Sequence, residues 1–331
     1  MAFGIAVLGL DHWYTAFGVL DICTASAETP LLSIYEPHAA RRAEVAALYP
    51  HALVTDSAEA ALSIPGVELA AICARTGDAV NLSKQALNAG KHVVSVKPFA
   101  RSAAEAEGIL QVASSSGKYF GSFEGMQRFQ PRAETLRDLI ASGVIGDVIA
   151  FHQVGHGPLP AEWRGAPNGG ASWWLDAEQV PGGAWIDHAI YAVDLARFAL
   201  KGEITDASGI LANRVHDHLS VEDYGAALMT LTPNAGHRPL VTLNITDTWC
   251  AETGTGYNEY RLLGTQGTIT ADGGTAWVVR TKDGTTRHEW EPGKHFRFDK
   301  LAALLQNGET PPFDGMDALR NLVACLTVYG K

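Results

Sequence analysis

Residues 4–37 read GIAVLGLDHWYTAFGVLDICTASAETPLLSIYEP. The first seven, GIAVLGL, form a continuous apolar run, the pattern of a strand buried on both faces of a sheet. A polar turn follows, then helical spacing over residues 14–27, and LLSIYEP (31–37) is a second buried strand ending in Glu36. The rhythm continues outward from there. HAARRAEVAALYP (38–50) is a helix stopped by Pro50, ALVT (52–55) a short strand, and Asp56 or Ser57 caps the next helix. ELAAICA (68–74) and KHVVSVKP (91–98) are strands on either side of a helix at 78–89 that Gly90 closes. SAAEAEGILQVASSSG (102–117) opens on Ser102 with Glu105 three residues on, a capping box, and KYFGSFEG (118–125) is the next strand. Repeated strand–helix units predict a parallel sheet with right-handed crossovers. Ligands of such sheets bind beyond the carboxyl ends of the strands, so the turns after Leu10, Glu36, Ala74 and Val96 are expected on one rim.

The chain has 331 residues, 47% of them apolar and 18% charged, with a net charge of −11. That length predicts two domains. The negative balance argues against nucleic acid and against an anionic membrane surface. No apolar run has the length of a spanning helix. The N-terminus lacks the basic start and small-residue cleavage site of a signal peptide. Cys23, Cys73, Cys250 and Cys325 form no CxxC pair and are expected to be reduced thiols in a cytoplasmic protein.

A dinucleotide-binding fold usually carries G-x-G-x-x-G between its first strand and helix, for a tight turn and close approach to a pyrophosphate. Here the loop is Gly9-Leu10-Asp11-His12-Trp13-Tyr14, with only the first glycine kept. Asp11 repels a pyrophosphate if it points inward; alternatively it turns outward or caps the helix. Glu36, at the end of the second strand, can accept from ribose hydroxyls, which favours NAD. Arg41 and Arg42 nearby leave NADP open. The expected cradle is therefore Gly9 to Tyr14, Glu36, Pro37, Arg41, and the strand ends Ala74, Arg75, Thr76, Val96, Lys97 and Pro98.

From about residue 131 the pattern changes. PRAETLRDLIASG (131–143) is a helix, VIGDVIAFHQVG (144–155) begins a strand, and a Trp-rich loop precedes a helix at 184–200. ITDASGILANRV, DYGAALMTLTP, PLVTLNITDTW, YNEYRLLGTQGTITADG and AWVVRTKDGTTRHEWE follow as strands, separated by turns at Pro233-Asn234, Asp272-Gly273-Gly274 and Asp283-Gly284. ALRNLVACLTVYGK (318–331) reads as a last helix. The expectation is a Rossmann domain (1–123) followed by an α+β domain with a large, mostly antiparallel open sheet (124–331).

ALNAGKHVVSVKP (86–98), MQRF (126–129), LIASGVIGDV (139–148), GGAWIDHAIYAVD (182–194) and LLGTQGTI (262–269) occur in this order. With the strand ending in Glu36-Pro37, they resemble the glucose–fructose oxidoreductase / inositol dehydrogenase / rhizopine-catabolism (Gfo/Idh/MocA) family over nearly the whole chain. The resemblance implies an NAD(P)-dependent dehydrogenase acting on the CH–OH group of a sugar, polyol or inositol-like substrate. It also implies a homodimer or homotetramer built through the open face of the second sheet. Lys97, in Val96-Lys97-Pro98, matches the lysine of the family's Glu-Lys-Pro motif, between nicotinamide and substrate hydroxyl. Asp187 matches the substrate-orienting aspartate. The family's general-base histidine falls on Tyr191, while a histidine stands three residues earlier at His188. Ala79 and Leu175 stand where many members carry histidine and a polar or basic residue.

Removing a hydride from an alcohol carbon requires a base for the hydroxyl proton, with its pKa near the working pH. Residues 187 and 191 are i and i+4 and share a helix face. Tyr191 can serve with Lys97 stabilising its phenolate; His188 can serve through its intrinsic pKa near ~6.5. Arg128, His156, Trp173 and Trp174, with Trp163 and Arg164 in the same stretch, are candidate substrate contacts, because aromatic faces stack on sugars. His216, His218 and His295 have no metal spacing, and no metal is expected. Rival readings are a catalytically silent dinucleotide or sugar sensor, dehydrogenation-assisted glycoside cleavage, and reduction of a non-sugar carbonyl.

Overall fold

A computed structural model describes residues 2–170, 172–234, 240–272, 274–291 and 296–331. His295 and Gly273, named above, lie outside them. The chain forms two compact units. The first holds Met1–Met126, Glu162–Ala166 and Lys294–Leu319; the second holds Gln127–Ala161, Pro167–Gly293 and Arg320–Lys331. The second half of the chain therefore returns twice to the first unit.

In the first unit, β1 (Gly4–Leu8), α1 (Trp13–Thr24), β2 (Leu31–Tyr35), α2 (Ala39–Leu48), β3 (Leu53–Thr55), α3 (Ala58–Leu62) and β4 (Val67–Ile72) alternate as the periodicity predicts. They continue as α4 (Thr76–Asn88), β5 (His92–Ser95), α5 (Ala103–Ser116) and β6 (Phe120–Ser122). The sheet is wholly parallel in the order β3-β2-β1-β4-β5-β6. That order reverses between β1 and β4, which puts the ligand crevice at their carboxyl ends. Apolar residues of β1 and β4 are buried on both faces, as their unbroken runs require. Ser102 Oγ accepts from the Glu105 amide at 3.2 Å, while Glu105 Oε2 takes the Arg101 amide at 2.9 Å, so the reciprocal bond of the capping box lands one residue early.

A 3-10 turn (Gly125–Phe129) spans the change from the first unit to the second, where α6 (Pro131–Ala141) follows and β7 (Val148–His156) precedes α7 (Ala184–Leu200). Then come β8 (Gly202–Ala212), β9 (Tyr224–Pro233), β10 (Val241–Thr248), β11 (Tyr257–Gly264), β12 (Gly267–Asp272), β13 (Ala276–Thr281) and β14 (Gly284–Glu289). They make an eight-stranded sheet in the order β14-β13-β12-β11-β7-β10-β9-β8, antiparallel except where β7 meets β10. Alternation in β10 sorts its faces. Val241, Leu243 and Ile245 are buried, whereas Thr242 and Asn244 are exposed. The stretch expected as one strand from Tyr257 is a hairpin, turned by Thr265-Gln266. An unanticipated α8 (Phe298–Gln306) belongs to the first unit, and α9 (Gly315–Thr327) follows. Among the described residues no helix is long and apolar enough to cross a membrane.

Candidate active site

On the rim of the first unit, Gly9 adopts φ +75°, and a Cβ there would lie 2.6 Å from the Cβ of Ala74. Both facts require glycine. The Gly9 amide donates to Tyr35 O at 2.8 Å and the His12 amide to Cys73 O at 2.8 Å, which ties the loop to the ends of β2 and β4. Leu10 is fully buried, while Tyr14 at the third glycine position is exposed, its ring 4.3 Å from that of Trp13.

Asp11 is turned sideways. Its Oδ1 pairs with Arg41 Nη1 at 2.9 Å and its Oδ2 accepts from the Arg75 amide, at the N-cap of α4, at 3.2 Å. The carboxylate that sequence alone sets against a pyrophosphate is thus countered by a guanidinium and a helix N-terminus. Glu36 is buried at the end of β2, accepts from the His38 amide at 2.8 Å, and is held above the usual carboxyl pKa by that burial. Arg42 spans Glu36 O and Pro37 O, both at 2.9 Å, and reaches Asp56 at 3.3 Å. Arg41 also lies 4.4 Å from the Trp163 ring and 3.9 Å from Glu162. A glycine in the left-handed region, an ion-paired Asp11 and a buried carboxylate at the end of β2 together fit a dinucleotide. Thr76 opens α4, buried like Ala74. Past β5, the Val96 amide donates to Ile72 O at 2.9 Å, and Lys97, joined to Pro98 by a cis peptide, is 4% exposed.

In the second unit, α7 carries the other candidates. Asp187 Oδ2 accepts from the indole Nε1 of Trp249 at 3.3 Å and lies 3.6 Å from His188 Nε2. The Asp187 side chain is 12% exposed and that of His188 52%. Tyr191 is half-buried one turn further on, and its carbonyl accepts from Gln127 Nε2 at 2.9 Å. Arg128 lies beneath the helix, with Nη2 and Nε 2.6 and 3.0 Å from Oδ1 of the fully buried Asp194. Gln127 and Asn321 also donate to that carboxylate, each at 2.9 Å. His156 Nδ1 bonds Thr248 Oγ1 at 2.7 Å, one residue from Trp249.

The aromatic stretch expected as one loop divides between the units. Trp173 and Trp174 stack at 4.2 Å in the second, and Leu175 O accepts from Ser220 Oγ at 3.0 Å. Trp163 and Arg164 belong to the first, where Trp163 Nε1 donates to Glu44 at 3.1 Å and Arg164 lies 4.1 Å from the Phe17 ring. Trp249 and Gln127 escaped the sequence reading.

Residues 3–123 match an oxidoreductase-family NAD-binding Rossmann fold, and residues 133–270 match the GFO/IDH/MocA C-terminal domain. The chain belongs to the Gfo/Idh/MocA family. Residues 3–123 are accordingly an NAD-binding Rossmann fold of the oxidoreductase family. The chain is 28% identical over 191 residues to a dTDP-3,4-didehydro-2,6-dideoxy-alpha-D-glucose 3-reductase of Streptomyces violaceoruber, covering 57% of this chain and 50% of that one. It spans about half the length of the curated relatives it matches. Two solved structures share its fold at a TM-score of 0.83. One is the aldose-aldose oxidoreductase of Caulobacter crescentus complexed with glycerol, 20% identical, covering 100% of this chain and 97% of that one. The other is an oxidoreductase of Agrobacterium radiobacter with NAD+, L-tartaric acid and magnesium, 18% identical, covering 100% and 96%.

Proposed function

We propose that the protein moves a hydride between NAD and the CH–OH carbon of a sugar, polyol or inositol-like substrate. The observation that carries the reading is Asp187, held by the Trp249 indole one turn before Tyr191 on α7. Bound nicotinamide supplies the hydride acceptor or donor; the protein supplies cofactor grip, substrate orientation and proton handling. Glu36 accepts from the ribose hydroxyls. Arg41 and Arg42, both with carboxylate partners, support NAD over NADP. Asp187 orients the substrate hydroxyl. Tyr191 takes up its proton as the base, and Lys97 is assigned to the same proton handling by the family resemblance. In the reductive direction the same phenol returns the proton. His156, Trp173 and Trp174 complete the proposed substrate contacts, whereas Arg128, expected there from the sequence, is buried against Asp194 beneath α7. A second reading makes His188 the base, supported by its 3.6 Å approach to Asp187. The division at residue 123/124, a homodimer or homotetramer through the open sheet face, and a cytoplasmic location belong to the same proposal.

Paired substitutions test the acid/base assignment. With NAD and a substrate in hand, Tyr191→Phe is expected to lose about 10²–10⁴ in kcat and His188→Ala little. The opposite pattern moves the role to His188.

A further inference from the structure

Helix α7 begins without a side-chain cap of its own, because its N-cap residue is Gly183. The first backbone N–H groups of a helix have no intrahelical acceptor and need one from elsewhere. Here they converge on a single residue far along the chain. Glu222 Oε1 accepts from the amides of Gly183 at 2.9 Å and Trp185 at 3.1 Å, and Glu222 O accepts from that of Ala184 at 2.9 Å. The same Oε1 receives the hydroxyl of Tyr329 at 2.7 Å, from the turn after α9. Burial first, and then the neighbouring carboxylate, push the Tyr329 phenol well above its ordinary value, so it stays a donor. The fit leaves no room for a methyl group. A Cβ at Gly182 would lie 1.9 Å from the Tyr329 hydroxyl, and one at Gly183 would lie 2.1 Å from Glu222 O.

The next residue anchors the other side of the same site. Asp223 accepts the amides of Arg214, Val215 and His216 at 2.7, 2.9 and 2.7 Å. Its carbonyl accepts from the Trp249 amide at 2.8 Å, and the Trp249 indole reaches Asp187. Glu222-Asp223 thus fixes both the start of the helix and the donor that holds its aspartate.

We infer that Glu222 is a positioning residue for the chemistry on α7, with Tyr329 holding its carboxylate in place. The inference rests on the proposed roles of Asp187 and Tyr191. Glu222 caps the helix end from which those side chains project, so its loss lets the reacting groups drift. A displacement near 1 Å costs on the order of 10²-fold in rate.

Glu222→Ala, Glu222→Gln and Tyr329→Phe, each compared with wild type in kcat, KM for NAD and melting temperature, test this. Glu222→Ala is expected to lower kcat about 10²-fold with KM for NAD unchanged, because the cofactor cradle lies in the other unit. Glu222→Gln, which keeps an acceptor oxygen, is expected to recover most of the rate. Tyr329→Phe is expected to lower kcat several-fold without lowering the melting temperature, and it decides the matter alone if Glu222→Ala does not fold. Unchanged kcat in a folded Glu222→Ala or in Tyr329→Phe overturns the positioning role, and so does no recovery in Glu222→Gln. A wild-type chain that binds NAD but turns over no sugar or polyol overturns the dehydrogenase reading itself, which separates the two failures.

Discussion

Asp11 occupies the place where a dinucleotide loop usually has its second glycine, and its consequences are set by two neighbours. Arg41 balances its charge and the Arg75 amide fixes its direction, which leaves Glu36 as the acid proposed for ribose recognition. A hydrogen bond to a charged group contributes about 1.5–3 kcal/mol, so Glu36→Ala is expected to weaken NAD binding roughly 10- to 100-fold by titration calorimetry. Burial raises the Glu36 pKa, so the free protein loses this acceptor at a higher pH than an exposed glutamate would. NAD affinity should therefore fall on acidification through that raised value, and the fall should be absent in Glu36→Gln. Glu36 is a candidate from its place at a strand end, whereas Lys97 and Asp187 become candidates through the family resemblance of the segments that carry them. Neither route reaches Trp249, Glu222 or Tyr329. Trp249 acts on Asp187 across 62 positions, Glu222 on Gly183 across 39, and Tyr329 on Glu222 across 107. No local spacing encodes such contacts.

Among the elements, α7 is legible to its observed limits, 184–200, because its apolar periodicity and preceding glycine pair are strong signals. Helix α8 is not legible in the sequence: Arg297 at its N-cap gives no capping signal, although Asn307 and the left-handed Gly308 mark its end. The hairpin of β11 and β12 read as one strand because its turn, Thr265-Gln266, lacks the usual turn residues, the glycines lying at the flanking strand ends. Gly183→Ala drives a methyl group into Glu222 O and is expected to cost about 1–3 kcal/mol in chemical denaturation. Arg128→Ala strands the buried Asp194 and is expected to cost about 3–5 kcal/mol. At the start of β5, burial lowers the His92 pKa to about 4, and its Nδ1 accepts from the Tyr119 amide at 3.0 Å, which needs the neutral ring. The unfolded chain binds this proton below about pH 6.5 while the folded chain resists it. Stability should therefore fall between those two values as pH drops, by about 1–2 kcal/mol after solvent screening. The slope of stability against pH in that window should flatten in His92→Gln.

On the scale of the whole molecule, the sequence disclosed a parallel sheet followed by a mostly antiparallel one, because continuous apolar runs give way to alternating ones. It did not disclose that residues 162–166 and 294–319 return to the first unit, since that depends on packing such as Arg41 against Trp163 rather than on local pattern. The open face of the eight-stranded sheet carries Leu228 and Ile210, 52% and 61% exposed on the paired strands β9 and β8. If copies associate there, Leu228→Glu should shift the mass found by light scattering toward the monomer. The central claim is that this fold turns over and does more than bind. The most direct measurement mixes the protein with NAD and a panel of aldoses, polyols and inositols, and follows both the melting temperature and the near-ultraviolet absorbance of reduced nicotinamide. The account predicts that NAD raises the melting temperature and that at least one substrate produces reduced nicotinamide, with Lys97→Ala and Tyr191→Phe both strongly impaired. A melting shift with NAD but no reduction by any member of the panel would contradict it and point to a sensor.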